Sequence, residues 1–338
     1  MADKRTSSAP TLTLKDVAKI AGVSTAAVSN ALNGTGRMSD ETRERIRELA
    51  ERLKYRPNHR AASLRTGLTK TIGFVMTPDD DPDSRARWSE YSSNMLYTLV
   101  VAAEKRGYTV TIISANNPDQ LMYAQIDLLY YLDPYTDDIL ISKANELGIP
   151  VLMNDNLSNK DISIHVNTGF DEMTRGALAA LTSAGSTKPA LLTELPGIPS
   201  DEVAERVYLE WCTEHHVAPI IQRGNYGRTD IEERINALFD AGCDGIYSYY
   251  EEAATIHEIA KQRGIRIPED VLLVAATINP DENDALGVCS TLFHPELIAE
   301  LSFDTLVEFT KNPQSQPVTV NIPWEFVPQQ SCVRKTAN

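Results

Sequence analysis

The sequence has little cysteine, few aromatic residues and no long apolar run. Its four cysteines, Cys212, Cys243, Cys289 and Cys332, are scattered, with no CxxC spacing. That excludes an obvious zinc finger or a disulfide framework, and it suits a reducing compartment. No apolar stretch approaches the ~18–20 residues needed to cross a bilayer. Residues Met1 to Pro10 are polar and lack the apolar stretch of a secretory signal. GxGxxG and GxxxxGK[ST] are both missing, so neither a dinucleotide nor a P-loop site is indicated. There is no GxSxG elbow, and His165, His257 and His294 have no Ser, Cys or Asp at a catalytic spacing. His215-His216 beside Glu214 reads as a helix end. Asp79-Asp80-Asp81 lacks the Gly and Glu framework of a cation loop. The expectation is no enzyme, no cofactor and no metal.

What is present is two chains' worth of character in one. At 338 residues, 42% hydrophobic and 23% charged, the protein reads as globular with two or three domains. The net charge of -15 hides an asymmetry. Residues 1–70 hold 14 Lys+Arg against 7 Asp+Glu, and the rest holds 18 against 40. A basic head on an acidic body suits a head that sits on phosphates while the body repels them.

The head reads as four short helices. Thr13 is an N-cap, with Asp16 placed to return the bond. Val17, Ala18, Ile20 and Ala21 supply an apolar face, and Gly22 breaks the helix. Ser24 caps a second helix with Val28 and Leu32 inward, and Asn33-Gly34 ends it. Two short helices joined by a tight Gly turn make a helix-turn-helix. Ser39 caps a third, whose Ile46, Leu49, Ala50 and Leu53 form one stripe, and Pro57 stops it. Thr25, Ala26, Ser29 and Asn30 then face away from the core. Short side chains there let the second helix lie close to a major-groove floor. Asn58 can cap a fourth helix, ended by Gly67 and too short to be stable alone. It carries Arg60 and Arg65 for phosphates and one apolar residue, Leu64, suited to wedge into a minor groove. Leu64 packing on the next domain is the plainer alternative.

The run from Leu12 to Val75 closely resembles the head of the LacI/GalR family of bacterial repressors. The helix-turn-helix, the third helix, YRPN, the hinge SLR and the strand TIGFV occur in order. The resemblance implies base contacts from Thr25, Ala26 and Asn30, and a minor-groove wedge from Leu64. It implies phosphate contacts from Thr13, Ser24, Ser29, Asn33 and Tyr55, to which the residue reading adds Asn58, Arg60 and Arg65. Asn30 stands where many members carry Arg; Asn pairs with adenine and Arg with guanine, so the half-site is expected to differ. Ala62 stands where the hinge usually has Arg.

From Thr71 onward strands and helices alternate, which means parallel βαβ units. Strands are expected at Thr71–Met76, Thr109–Ile113, Pro150–Met153, Ala190–Thr193, Gly245–Tyr249 and Val271–Ala276. Helices are expected at Tyr91–Arg106, Asp119–Leu132, Met173–Ala184, Asp201–His216, Asp230–Ala241, Glu251–Arg263 and Pro295–Thr310. The fold class is an all-α helix-turn-helix head on a two-lobe, periplasmic-binding-protein-like α/β body. The expected division is a tail at 1–11, the head at 12–56, a hinge at 57–70 and the body at 71–338.

The resemblance thins in the body. GYTVTIIS, GIPVLMND and RGIRIPEDVLLVA look like strands of the family, and LVVAAEKRGY fits a helix that packs on its copy in a dimer. The sugar-pocket residues of the family are replaced: Tyr250 and Glu251 for an Asn-Asp pair, Thr277 for an Asp, and Asn167 in HVNTG for an Asp-Asn. The effector arginine falls at Ala204 or Arg206, depending on register. Tyr and Thr cannot fork onto vicinal hydroxyls as carboxylates and amides do. An aromatic or nucleoside-like effector stacked by Trp88, Tyr91, Tyr249 or Tyr250 is one reading. These aromatics as ordinary core is another, and a degenerate pocket without an effector is a third. The leading expectation is a cytoplasmic, homodimeric DNA-binding repressor with a near-palindromic operator. A solute-binding module and an α/β enzyme with a DNA-targeting head fit less well, since the first has no use for the head and the second has no catalytic constellation.

Overall fold

The structure, a computed structural model, describes residues 12–55, 67–76, 82–132, 138–155, 159–193, 199–224, 230–250, 252–312 and 316–333, without the side chains of 82–91 and Asn33. The chain divides into two compact units, Met1–Thr69 and Lys70–Asn338.

The first unit holds α1 (Leu14–Ala21), α2 (Thr25–Asn33) and α3 (Asp40–Arg52). Each begins at a hydroxyl cap. Thr13 accepts from the Asp16 amide and donates its own amide to the Asp16 carboxylate at 2.8 Å, a capping box with Asp in place of Glu. Ser24 accepts from Ala27 N–H, and Ser39 from Thr42 N–H. Gly22 and Gly34 end α1 and α2 at φ 69° and 70°, where a Cβ would be strained. Val17, Ala18, Val28, Ala31, Ile46 and Ala50 close the small core. Two expectations are corrected. Ile20 is 54% exposed. It lies about 200° around the helix from the buried Ala18, off the inward stripe. The third helix ends at Arg52, where Lys54 takes φ 50°, before Pro57 is reached. The expected fourth helix falls outside the described residues.

The second unit has two six-stranded sheets. The first orders its strands β11-β5-β4-β3-β1-β2, all parallel. They are β1 (Thr71–Met76), β2 (Thr109–Ser114), β3 (Leu128–Tyr131), β4 (Val151–Asn154), β5 (Ile164–Asn167) and β11 (Val318–Asn321). Alternate residues serve opposite faces. Phe74, Leu128, Tyr130 and Leu152 meet α4 (Pro82–Lys105) and α11 (Pro295–Lys311), while Val75, Leu129, Tyr131 and Met153 meet α5 (Ile139–Glu146). A parallel sheet covered on both faces needs such apolar runs.

The second sheet orders β12-β10-β9-β8-β6-β7, with β12 (Glu325–Val327) antiparallel to β10 (Cys289–Leu292) and the rest parallel. The remaining strands are β6 (Pro189–Thr193), β7 (Ile221–Arg223), β8 (Gly245–Ser248) and β9 (Leu272–Thr277). Around them pack α6 (Phe170–Ser183), α7 (Pro199–His215), α8 (Ile231–Asp240), α9 (Ala253–Gln262) and α10 (Asp281–Leu286). The chain passes between the lobes three times: from β5 into α6, from β10 into α11, and from β11 into β12.

The expected helix at Asp119–Leu132 is wrong. That stretch is a 3-10 turn, Pro118–Met122, followed by the central strand β3. Leu128-Leu-Tyr-Tyr131 is buried at every position, so it carries no alternation, and a short apolar run leaves helix and strand undecided. Elements α5, β5, β7, α10, β10, β11 and β12 were not read from the sequence at all. Among the described residues no helix is long and apolar enough to cross a membrane.

Candidate nucleic-acid interface and ligand cleft

In the head, α2 is the element whose outer face is short and uncharged. Thr25 and Ala26 are exposed, and Ser29 and Asn30 are half-buried. No cation lies on α2 itself. Its C-terminus is instead held by α3. Arg43 donates to Asn30 O, Thr35 O and Gly36 O at 3.2–3.4 Å, and Arg47 donates to Ala31 O at 3.1 Å. Two guanidinium groups thus satisfy the last carbonyls of α2, where the helix dipole is negative. Both are basic residues used within the fold, which neither composition nor pattern separates from phosphate ligands.

Of the expected contacts, Thr13 and Ser24 are exposed at helix N-termini. Tyr55 is half-buried, and burial raises its pKa, so the hydroxyl remains a neutral donor. Asn30 does not simply project outward. Its Oδ1 accepts from the Thr35 hydroxyl at 3.4 Å, and its amide lies where a Cβ on Gly36 would stand. The side chain folds onto the turn that follows α2. Asn58, Arg60, Leu64 and Arg65 lie outside the described residues, as does the Asn33 side chain.

In the body the strand order repeats: β2-β1-β3-β4-β5 in one lobe and β7-β6-β8-β9-β10 in the other. Each is a doubly wound sheet, and ligands bind such sheets at the carboxyl ends where the order reverses. In the second lobe that place is the end of β6 and β8, with Thr193, Tyr249 and Tyr250. There Asp201, near the start of α7, is 3% exposed. It accepts from the Thr193 hydroxyl at 2.5 Å and the Tyr250 hydroxyl at 2.7 Å. Tyr249 is 4% exposed, its ring against Phe170, Tyr247 and Tyr250. Burial, reinforced by the charge of Asp201, pushes its phenol well above the ordinary value. Ser200 lies beside its hydroxyl, without full hydrogen-bond geometry. The two tyrosines are therefore core and wall of this lobe, with Tyr250 tied down through Asp201.

The other expected pocket residues are not gathered there. Asn167 bridges two interlobe crossings, donating to Asn321 Oδ1 at 3.0 Å and accepting from Gly169 N–H at 3.2 Å. Thr277 closes its own turn, donating to Asn279 O at 2.7 Å and accepting from Asn279 N–H at 3.0 Å. Arg206 pairs with Glu210 at 2.8 Å on the exposed side of α7, while Ala204 is buried. Arg206 does line a groove of about 520 Å³ with Thr193, Asp201, Glu205 and Arg223. Every wall of that groove comes from one lobe, so it is not the interlobe cleft. Nothing is described of the Trp88, Tyr91 or Glu251 side chains. Sequence reasoning missed Asp155, whose carboxylate accepts from the Thr168 amide and hydroxyl at 2.7–2.9 Å at the first crossing. It also missed Asp201; both roles depend on contacts distant in sequence.

Two family profiles match the chain: bacterial regulatory proteins of the lacI family over residues 13–58, and a periplasmic binding protein-like domain over residues 178–332. A relative in Bacillus subtilis named "Probable HTH-type transcriptional repressor ExuR" is 24% identical, over 96% of this chain and 99% of its own length. The HTH-type transcriptional regulator AscG of Escherichia coli is 26% identical, over 78% and 81%. Among solved structures, a lac repressor dimer bound to operator and the anti-inducer ONPF matches with TM-score 0.74 at 19% identity, covering 95% of this chain and 99% of that one. A regulator CelR–cellobiose complex matches with TM-score 0.68 at 19% identity, over 95% and 99%.

Proposed function

Since this chain belongs to the LacI family of bacterial regulatory proteins, we propose that it is a sequence-specific transcriptional repressor, acting in the cytoplasm as a dimer. The division we adopt is a tail at 1–11, a DNA-binding head at 12–56, a hinge at 57–70 and an effector and dimerisation body at 71–338. The observation that carries the reading is the head. A hydroxyl-capped α1–turn–α2 pair presents Thr25 and Ala26 to solvent, and α3 arginines fasten α2 in place. A rigid helix with a short-side-chain face is what close approach to base edges requires. One head offers too few base contacts for a specific site at physiological salt, so two heads on a dyad are needed. The test is selection of duplexes from a random library by the purified full chain. Enrichment of a two-fold-related sequence supports the reading, and binding without enrichment contradicts it.

The body would hold a small-molecule effector between its lobes at the carboxyl ends of the two sheets. Two structural neighbours, the regulator CelR and the lac repressor, are complexed with cellobiose and with ONPF respectively. A second reading, a body without an effector, is favoured by one observation. Asn167, Thr277 and Tyr250 already have partners within the protein. A thermal-shift screen of metabolites separates the two. A ligand at 100 times its Kd adds about 2.7 kcal/mol to stability, whereas an effectorless body melts unchanged with every compound.

A further inference from the structure

Cys289 opens β10, and Cys332 closes a 3-10 turn, Gln330–Cys332, near the end of the chain. The turn is fastened to the sheet by Ser331. Its hydroxyl donates to Leu273 O at 2.5 Å and accepts from Cys289 N–H at 2.8 Å. Gln329 N–H donates to Cys289 Sγ at 3.2 Å, and Cys332 Sγ donates to Leu273 O at 3.5 Å. Cys289 Sγ in turn donates to Gln329 O at 3.3 Å, and Leu273 O is shared by Ser331 Oγ and Cys332 Sγ, so one small network holds both cysteines. Cys289 is 1% exposed and Cys332 half-buried. Burial raises the Cys212 thiol, and burial beside Asp244 pushes the Cys243 thiol up to about 12.

We propose that Cys289 and Cys332 form an oxidisable dithiol that hydroperoxides close to a disulfide, stapling the C-terminal turn to β10. Cys332 is the half-buried member and Cys289 the buried one, which suits an attacking and a resolving thiol. The Cys332 thiol and the Gln329 and Ser331 groups hold Cys289 down to about 6 against its burial, and Cys332 is raised in return. Deprotonation of Cys332, the less buried of the two, gives the attacking thiolate. That thiolate attacks the peroxide O–O bond: an S–O bond forms, the O–O bond breaks, and the distal oxygen leaves as an alcohol or water after taking up a proton. Cys289 then displaces the sulfenic oxygen: an S–S bond forms, the S–O bond breaks, and water leaves. Two thiols lose two hydrogens and the hydroperoxide is reduced.

The staple has a defined place in the body. Strand β10 leads into the second interlobe crossing, and the chain after β12 continues from the third. The cross-link would fix the roots of both in the same lobe.

The test is treatment of the purified full chain with hydrogen peroxide, read by intact mass, peptide mapping and melting. The expected result is loss of two hydrogens, one cross-linked peptide joining Cys289 to Cys332, reversal by dithiothreitol, and a Tm raised by several degrees. C332S should resist oxidation at Cys289, because the buried sulfur loses its exposed partner. C289S should leave a sulfenic acid on Cys332 that dimedone traps. A chain that keeps both thiols overturns the proposal. So does one that carries Cys332 to sulfinic acid without a cross-link, or that links Cys332 to another copy.

Discussion

A carboxylate at the first turn of the head illustrates how much one residue decides. Asp16 accepts from both the amide and the hydroxyl of Thr13, and those bonds hold its pKa below the ordinary 3.8. A depressed folded-state value stabilises the fold above the unfolded value, and the contribution is lost as pH falls through the folded one. Asp16→Asn should therefore melt lower than the parent at pH 6, with the difference closing as pH falls below 3.8. A difference independent of pH would mean the carboxylate charge has no part in the cap. Asn30 raises a second question at this scale. If it reads a base, it must leave Thr35 and the Gly36 turn. Asn30→Ala should change which half-site is preferred, by about 1–3 kcal/mol of discrimination, while Arg60→Ala weakens all sequences alike and lowers the salt slope by about one. Equal losses on every sequence for Asn30→Ala would assign the side chain to bracing the turn instead. The caps were legible in the sequence because a cap is a bond across three residues. The bond from Asn167 to Asn321 was not, because the two lie 154 positions apart.

At the scale of elements, α2 depends on α3. The Arg43 guanidinium satisfies carbonyls at the end of α2, so it is a structural cation in a basic head. Arg43→Ala should lower the melting of the head by the equivalent of about 1 kcal/mol, the net worth of hydrogen bonds to partly exposed carbonyls. Its salt slope for DNA binding should not change; a slope lower by about one would place Arg43 on phosphate. The proposed hinge is the second element. Asn58 to Leu64 is too short to be helical alone, so we expect it to order on the operator, with Leu64 as a wedge. Leu64→Ala should keep non-specific binding and lose most operator preference. Hinge amides should exchange freely without DNA and slowly with it. Protection in the free protein, or normal operator binding by Leu64→Ala, would remove that coupling. Helices with caps and stripes were legible at this scale. Strand β3 was not, since four buried residues in a row have no period, and β7 is only three residues long.

For the whole molecule, the charge asymmetry makes physical sense once the two units are seen. The positive balance lies in residues 1–70, almost the same span as the first compact unit, and the acidic excess lies in the second. Phosphates attract one unit and are repelled by the other, which leaves the body free to pair and to bind ligands. The alternation of strands and helices implied parallel lobes but not their strand order, since β3 reads as helix in the sequence and β5, β7 and β10 go unread. The body's three crossings were not legible either, because β10, β11 and β12 were unread and the chain's last segment returns from one sheet to the other. On this reading two capped heads bind a two-fold-related DNA site. A hydroxyl-radical footprint of the full chain on its selected duplex tests it most directly. Two protected patches should appear, related by a dyad and separated by about one helical turn or a multiple of it. A single asymmetric patch, bound with full affinity by a monomer, would contradict it.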